Sequence, residues 1–154
     1  TASSADVVEH CLRYLNEQGE DYNYFVLLQP TSPLRTGEHI DQAITLAVEK
    51  KADSVTSVTA CEHSPLWANT LNDDLSMAEF IRPEVVNKRS QDLPEYYRIN
   101  GALYVCQTQR FLKEKKFIFD SNSFAYKMAQ LNSVDIDTKL DFLVAESILR
   151  EKLV

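Results

Sequence analysis

The sequence is poor in glycine, with only Gly19, Gly37 and Gly101 among its 154 residues. The common phosphate-binding loops need several closely spaced glycines, because backbone N–H groups must approach the phosphate without interference from Cβ atoms. The three glycines lie far apart. This chain alone therefore does not supply a glycine-rich phosphate loop.

Cysteine is also scarce. Cys11, Cys61 and Cys106 are an odd number, are widely separated and form no C-x-x-C pair, which excludes a disulfide framework and the usual zinc sites. We predict that they are reduced core residues. The three histidines are isolated, and no G-x-S-x-G or Cys-His pattern indicates a nucleophilic hydrolase.

Long apolar runs and excess positive charge are both missing. No run approaches the ~18 residues that span a bilayer, and no signal peptide opens the chain, so we expect a cytoplasmic protein without a membrane partner. Acidic residues outnumber basic ones 23 to 16, giving a net charge of −7. This balance argues against nucleic acid as a partner. It still allows small anionic substrates, because a local arginine acts within a screening length of ~8–10 Å.

The hydrophobic pattern predicts one α/β domain over residues 1–154. Apolar strands at Tyr24–Leu28 and Ser54–Thr59 alternate with amphipathic helices, one beginning near Ser4 and one spanning Glu38–Lys50. This alternation predicts a mostly parallel sheet with crossover helices.

The loop after the first strand is the first candidate ligand site. Two prolines stop the strand abruptly, and Gln29, Thr31, Ser32 and Arg35 are the polar groups at that point. Ligands of open α/β sheets bind beyond the carboxyl ends of strands. The alternative is a connector whose hydroxyl groups cap the next helix.

A predicted strand from Arg98 to Val105 is the second candidate. Strict alternation would put Arg98, Asn100 and Tyr104 on one face, with Ala102, and Ile99, Leu103 and Val105 on the core face. A guanidinium, an amide and a phenol in a row suit a ligand with a carboxylate and hydroxyl groups. An exposed antiparallel face would have a similar pattern, so both interpretations stay open.

The stretch from Ser133 to Thr138 is the third candidate. We predict a strand end at which Asp135 and Asp137 share one face and Val134 and Ile136 point to the core. Adjacent carboxylates repel each other and offer the oxygen ligands that Mg²⁺ takes together with substrate phosphates. Thr138 is also expected to cap the last helix with Asp141 at its third position, and both functions are compatible.

Residues 62–97 lack any helical period and form an irregular insertion, which is typical of a functional segment or an interaction arm. The alternative is a solvent-exposed loop without a specific function. Further along, Phe117 and Phe119 follow a basic patch, and we predict that they are exposed at a loop tip and contact another surface.

Five ordered motifs together resemble the acylneuraminate cytidylyltransferases, also called CMP-sialic acid synthetases, over essentially the whole chain. They are Thr1-Ala2-Ser3-Ser4, Leu28-Gln29-Pro30-Thr31-Ser32-Pro33-Leu34-Arg35, Gln91-Asp92-Leu93-Pro94, Arg98-x-Asn100-Gly101-Ala102-Leu103-Tyr104 and Asp135-Ile136-Asp137-Thr138-x-x-Asp141.

The resemblance implies a Rossmann-like, three-layer nucleotide-sugar transferase fold in which residues 62–97 form a dimerisation arm of a homodimer. It implies Mg²⁺-dependent joining of CTP to a nine-carbon sugar acid, with release of pyrophosphate. Implied site residues are Ser4 on the cytidine side, Gln29, Arg98, Asn100 and Tyr104 around the sugar, and Asp135 and Asp137 as catalytic Mg²⁺ ligands. Phe117 matches one residue of an aromatic pair that lies near the substrate site of the partner subunit.

The chain also departs from the family pattern. Ser90 replaces a family arginine, Trp67 replaces a basic residue that some members carry, and Ile118 replaces the second residue of an aromatic pair. The family's N-terminal strand and phosphate loop are expected before Thr1, so the chain as written is expected to lack most of the triphosphate site and to be inactive. A non-catalytic sugar-binding or dimerisation module, or a cytidylyltransferase for another sugar acid, are the alternatives.

Overall fold

The computed structural model describes residues 3–154 as a mixed sheet with helices on both of its faces. In chain order the elements are α1 (Ser4–Glu17), β1 (Tyr24–Leu27), α2 (Gly37–Lys50), β2 (Ser54–Ala60), β3 (Tyr97–Gln107), α3 (Thr108–Glu114), β4 (Ser123–Lys127) and α4 (Lys139–Arg150). Thr1 and Ala2, the start of the first family motif, lie outside the described residues. None of the helices in the described part is long and apolar enough to cross a membrane.

The sheet corrects the prediction of a mostly parallel arrangement. Its strand order is β1-β3-β2-β4, and β3 pairs antiparallel with both β1 and β2, whereas β2 and β4 pair in parallel. Two of the three pairings are therefore antiparallel. The physical reason is that β2 and β3 are joined by the irregular segment rather than by a crossover helix, so the chain returns beside β2 in the opposite direction.

Two hydrophobic clusters lie on opposite faces of the sheet. On one face α2 contributes Ala43 and Ala47, which lie against Val55 and Val105. On the other face, Leu12 of α1 and Phe111 of α3 contact the β1 and β3 side chains. Because neighbouring residues of a strand point to opposite faces, β1 serves both clusters, and the result is the predicted three-layer arrangement.

A bulge interrupts β3 at the candidate motif. The register with β2 jumps between Thr56 and Val58, so that Thr56 pairs with Tyr104 but Val58 pairs with Ile99. Gly101 lies inside this bulge with φ of +72°, a conformation that glycine adopts without steric cost. Strict alternation therefore fails here: Ile99, predicted to be in the core, is 50% exposed.

The C-terminal segment differs from its predicted strand. β4 ends at Lys127, and residues 133–138 form a loop instead, whose Ile136 N–H donates a 2.8 Å hydrogen bond to the Thr31 carbonyl. Val134 and Ile136 nevertheless lie against the buried Leu34 and α4, as the apolar pattern predicted. The predicted cap is confirmed, because Thr138 and Asp141 form a capping box at the start of α4.

Residues 62–97 contain no α-helix and only one strand residue, Tyr97, which opens β3. Three single 3-10 turns, Pro65–Trp67, Pro83–Val85 and Ser90–Asp92, are the regular structure that the segment contains. Its predicted irregularity is confirmed.

Candidate functional site

The loop after β1 is held by Arg35. Its Nη1 donates hydrogen bonds to the carbonyl oxygens of Gln29 at 2.5 Å, Ser32 at 2.7 Å and Ala102 at 3.3 Å. Ser32 is fully buried and its hydroxyl donates to the Asn100 carbonyl at 3.3 Å. Arg35 and Ser32 therefore fix the loop against the β3 bulge, and Arg35 Nη1 and the Ser32 hydroxyl are engaged by backbone carbonyl oxygens.

Three side-chain oxygens gather over Gly101. A Cβ atom added there would lie 2.5 Å from Gln29 Oε1, 3.4 Å from Ser32 Oγ and 3.6 Å from Asp135 Oδ2. The bulge thus brings together Gln29 and Asp135, which the sequence separates by more than a hundred positions. The glycine is required because any side chain would occupy the space in which these groups meet.

A cleft of about 380 Å³ opens beside this point. Its polar lining consists of Glu62, Arg98, Asp135, Asp137 and Asp141, and Val134 and Val144 supply the apolar part. Three of the predicted site residues, Arg98, Asp135 and Asp137, therefore line one cavity.

Arg98 is already engaged by a carboxylate in this cleft. Its Nη2 lies 2.7 Å from Glu62 Oε1 and its Nε lies 3.2 Å from Glu62 Oε2. The hydrogen bonds to Glu62 raise the pKa of Arg98, and the negative charge of Asp135 adds to this effect. Correspondingly, the Arg98 guanidinium lowers the pKa of Glu62. Both groups are charged at neutral pH.

Tyr104 and Phe117 form an aromatic wall. Their ring centroids lie 5.7 Å apart, and Phe117 also contacts Phe111 at 5.1 Å. Burial raises the pKa of Tyr104, and the nearby negative charge of Asp135 contributes to the rise. The phenol therefore remains a hydrogen-bond donor at neutral pH.

The predicted exposure of the Phe117–Phe119 loop tip is corrected by the structure. Phe119 is 4% exposed, and Phe117 is partly buried in the cluster with Phe111. The large apolar side chain that does face solvent is Ile118, at 43%. The physical reason is that the Phe111 cluster packs against Phe117 and that Arg110 of α3 lies over the Phe119 ring, contacts that a local sequence pattern does not reveal.

Asn100 lies beneath the site rather than in the cleft. It is 1% exposed, its Oδ1 accepts from Ser57 Oγ at 2.5 Å, and its Nδ2 donates to Ser133 Oγ at 2.9 Å. The Ala102 N–H also donates to Oδ1, at 3.2 Å. Because these bonds occupy both ends of the amide, Asn100 joins β2, the bulge and the 133–138 loop in a buried network.

Ser4 is not among the residues that line the cleft. It is the exposed first residue of α1, and its neighbour Ala5 lies against the cluster that contains Tyr104 and Phe117. The structure thus places Ser4 one residue before a contact with the cluster that includes the aromatic wall.

The two carboxylates are compatible with a divalent cation. Asp135 Oδ1 is buried and has no hydrogen-bond partner among the residues that the structure describes, and Asp137 is exposed in the same cleft. Within residues 3–154 no group of three or more His, Cys, Asp or Glu residues is placed to hold a metal ion. A Mg²⁺ ion bound by two carboxylates would take its other ligands from water and substrate phosphates, as this ion commonly does.

Sequence reasoning missed two residues of this region. Glu62 follows the end of β2 by two positions, where its side chain meets Arg98 of the adjacent strand. Ser57 is fully buried and hydrogen-bonds to both Asn100 and Leu103. The position of Glu62 just after a strand end could have indicated a site residue, because ligands bind near strand ends. Ser57 lies inside a strand of ordinary β-branched composition, and nothing in the local sequence indicates its role.

The fold and the cleft together define an α/β protein similar to nucleotidyltransferases. CMP:2-keto-3-deoxy-manno-octonic acid synthetase in complex with CTP aligns with a TM-score of 0.64 and 12% identity, covering 99% of this chain and 70% of that one. The 4-diphosphocytidyl-2C-methyl-D-erythritol synthase of Anaerococcus prevotii aligns with a TM-score of 0.59 and 13% identity, over 97% and 68% of the two chains. At these identities the likeness concerns the fold alone.

Sequence similarity is more specific. The N-acylneuraminate cytidylyltransferase of Streptococcus agalactiae serotype V is 38% identical over 124 residues, which are 80% of this chain and 30% of that protein. The Escherichia coli O18:K1:H7 protein of the same name is 35% identical over 152 residues, which are 98% and 35% of the two chains. The chain thus spans about a third of the length of these relatives.

Related sugar-acid enzymes match as well. The CMP-N,N'-diacetyllegionaminic acid synthase of Legionella pneumophila is 28% identical over 134 residues, covering 83% of this chain and 54% of that protein. A scan against models of known protein families finds no match. The predicted resemblance to acylneuraminate cytidylyltransferases is confirmed by the homologues of that name, which match most of this chain.

Proposed function

We propose that the protein carrying this chain transfers a cytidylyl group from CTP to a nonulosonic acid, giving a CMP-sugar and pyrophosphate. The observation that carries the proposal is the cleft in which Arg98 lies with Asp135 and Asp137. A guanidinium binds a carboxylate with two parallel hydrogen bonds, and a carboxylate pair suits a cation that binds phosphates. The cleft therefore combines groups for both halves of such a reaction.

Each side chain then has a defined task on the sugar side. Arg98 binds the carboxylate of the sugar acid, and Gln29 and the protonated Tyr104 offer hydrogen bonds to its hydroxyl groups. Phe117 fixes the Tyr104 ring by contact. Positioning of this kind raises the rate because the anomeric hydroxyl is held in line with the α-phosphorus of CTP.

Asp135 and Asp137 would hold the metal ion. When bound, Mg²⁺ would supply positive charge that offsets the charge of the phosphates. Gly101 keeps the space beside Asp135 open, and the Thr138–Asp141 capping box fixes the backbone directly after Asp137. The glycine thus leaves room beside the Asp135 carboxylate, and the capping box restrains the backbone that carries Asp137.

The first test is pyrophosphate release from CTP and N-acetylneuraminate by the full-length natural protein. Asp137→Asn is expected to lower kcat/KM by roughly a hundredfold, the usual effect of removing one electrostatic group from an active site. Asp41→Asn makes the same chemical change on the exposed surface of α2 and should leave activity within about twofold. Equal activity of wild type and Asp137→Asn would refute the metal assignment.

The identity of the sugar is tested with a panel of acids. N-acetylneuraminate, a legionaminate, a pseudaminate and a 3-deoxy-octulosonate cover the substrates in the names of the sequence relatives and of the structural neighbour. We expect a preference for one of the nine-carbon acids. Calorimetry that detects binding of the sugar without any turnover would instead indicate a non-catalytic module.

We further propose that residues 62–97 mediate a homodimer. Large apolar side chains project from this segment into solvent, with Leu71 55%, Leu75 70% and Met77 59% exposed. A monomer gains by burying such a surface against a second copy. Analytical ultracentrifugation of the natural protein should show a dimer that Leu75→Glu converts to monomer, whereas Leu140→Glu on the exposed face of α4 should not.

A further inference from the structure

Glu62 and Arg98 are held opposite each other by the sheet. Thr59 pairs with Arg98 across β2 and β3, and the Cys61 N–H donates to the Tyr96 carbonyl at 2.8 Å, which continues the pairing past the end of β2. Glu62 is the next residue. Its carboxylate therefore meets the Arg98 guanidinium through two hydrogen bonds, the geometry in which a guanidinium binds a ligand carboxylate.

The pair is accessible and can be exchanged. The Arg98 side chain is 38% exposed and the Glu62 side chain is 52% exposed. Solvated ion pairs of this kind are weak, because water and salt compete with the partner. A ligand carboxylate of the same geometry can therefore displace Glu62 without leaving a buried charge unpaired.

The other charges of the cleft make access to Arg98 important for binding an acid. Among the described residues that line it, Arg98 is the only cation, and Asp135, Asp137 and Asp141 add three carboxylates to that of Glu62. Of these side chains, the carboxylates repel an anionic ligand and only the Arg98 guanidinium attracts it, until a metal ion neutralises Asp135 and Asp137. Whichever carboxylate occupies Arg98 thus controls entry of an acid into the cleft.

We infer that Glu62 is an internal competitor that occupies Arg98 when the cleft is empty and must be displaced by the carboxylate of the sugar acid. Glu62 therefore sets the affinity for that acid and selects ligands whose carboxylate reaches Arg98. This inference rests on the proposed function for the class of the ligand. It adds a specificity-determining residue that acts through Arg98.

The test measures binding and turnover separately. With the full-length natural protein, Glu62→Gln should lower the dissociation constant of N-acetylneuraminate by roughly threefold to tenfold in calorimetry, since it removes one competing charge. The same change should appear in KM rather than in kcat. Glu49→Gln alters the net charge equally on the exposed end of α2 and serves as the matched control.

The methyl ester of N-acetylneuraminate removes the ligand charge. If Glu62 competes with the ligand carboxylate for Arg98, Glu62→Gln should lower the dissociation constant of the acid but not that of the ester. Weaker or unchanged binding of the acid by Glu62→Gln would overturn the inference, because it would mean that Glu62 positions Arg98 or plays no part. Absence of pyrophosphate release by wild type, with tighter binding of the acid by Glu62→Gln, would refute the proposed function and leave this inference standing.

Discussion

Gly101 and Gln29 are in such close approach that a Cβ on Gly101 would lie 2.5 Å from Gln29 Oε1. Two separate costs follow for Gly101→Ala, one from φ of +72° and one from the contact. Backbone strain alone costs about 1–2 kcal/mol, and an overpacked contact typically adds about 1–3 kcal/mol. We expect Gly101→Ala to lower the free energy of unfolding by both amounts, or to displace Gln29 and raise KM for the sugar acid.

The chain provides its own control for this prediction. Gly19 has φ of +82°, but no atom of the described residues 3–154 lies within 4 Å of an added Cβ, so Gly19→Ala isolates the strain. Denaturant unfolding should be measured for Gly19→Ala, for Gly101→Ala and for the double variant Gly101→Ala/Gln29→Ala. The three free energies of unfolding separate the cost of backbone strain from the cost of the contact with Gln29. Equal losses for Gly19→Ala and Gly101→Ala, with an unchanged KM, would contradict the close contact.

Arg35 is expected to stabilise the loop that carries Gln29. Arg35→Met keeps the aliphatic stem but removes the donor to three carbonyl oxygens, those of Gln29, Ser32 and Ala102. We expect a loss of about 2–3 kcal/mol in the free energy of unfolding, because hydrogen bonds to a charged group are strong and their acceptors are left unpaired. Arg35→Lys should recover only part of it, since an ammonium lacks the planar geometry.

Arg13→Met is the matched control, because Arg13 forms an exposed ion pair with Glu9 on α1. Such pairs contribute under about 1 kcal/mol. Urea midpoints measured side by side would decide. A loss for Arg35→Met no greater than that for Arg13→Met would show that the three carbonyl contacts do not stabilise the loop.

Substitution of Asn100 can distinguish a structural role of this residue from direct contact with the substrate. Asn100→Leu would leave the Ser57 hydroxyl and the Ala102 N–H without their buried partner. We expect a loss of about 2–4 kcal/mol in the free energy of unfolding, since several buried polar groups lose a hydrogen bond together. Asn69→Ala, in the exposed part of residues 62–97, should cost much less.

Thermal unfolding together with KM for the sugar acid distinguishes the two roles. A variant of wild-type stability with a strongly raised KM would restore Asn100 as a direct substrate contact, as the family resemblance implies. A destabilised variant whose folded fraction has normal KM would confirm the buried network.

Regular elements were predictable because local periodicity determines them. The helix predicted over Glu38–Lys50 is α2, which spans Gly37–Lys50, and the predicted capping box of Thr138 and Asp141 is present. Hydrogen bonds within a few residues fix such features, so a short window of sequence contains the necessary information.

The site was predictable only in part, because the bulge at Gly101 breaks the two-residue alternation of β3. A face count from Arg98 therefore placed Asn100 beside the ligand and Ile99 in the core, whereas Asn100 is 1% and Ile99 50% exposed. Likewise the pairing of Glu62 with Arg98 depends on strand register, which a single segment does not encode. The exposure of Asn100 and Ile99 and the Glu62–Arg98 pair thus depend on long-range strand pairing, which local sequence patterns do not contain.

The alkylation rate of Cys106 reports how well the aromatic cluster around Phe117 protects this thiol. Burial raises the pKa of its thiol to about 12, and Sγ donates to the Phe117 carbonyl at 3.4 Å. At pH 8 the Cys106 thiol is therefore almost entirely protonated, and only the thiolate is alkylated. Of the three cysteines predicted to be in the core, only Cys106 is buried, whereas Cys61 is partly exposed and Cys11 is exposed on α1. We expect iodoacetamide and mass spectrometry to show rapid modification of Cys11 and protection of Cys106 until the protein unfolds.

The same measurement tests the position of Phe117. Phe117→Ala removes the ring that contacts Tyr104 and Phe111, which opens a path to Cys106, and we expect alkylation of Cys106 to accelerate by at least about tenfold. Ile118→Ala is the control, because that neighbouring side chain is 43% exposed and covers nothing in the cluster. Equal protection of Cys106 in the Phe117→Ala and Ile118→Ala variants would mean that Phe117 does not close this part of the core. Its ring would then be free to meet a ligand, so the result also decides whether Phe117 acts by packing or by contact.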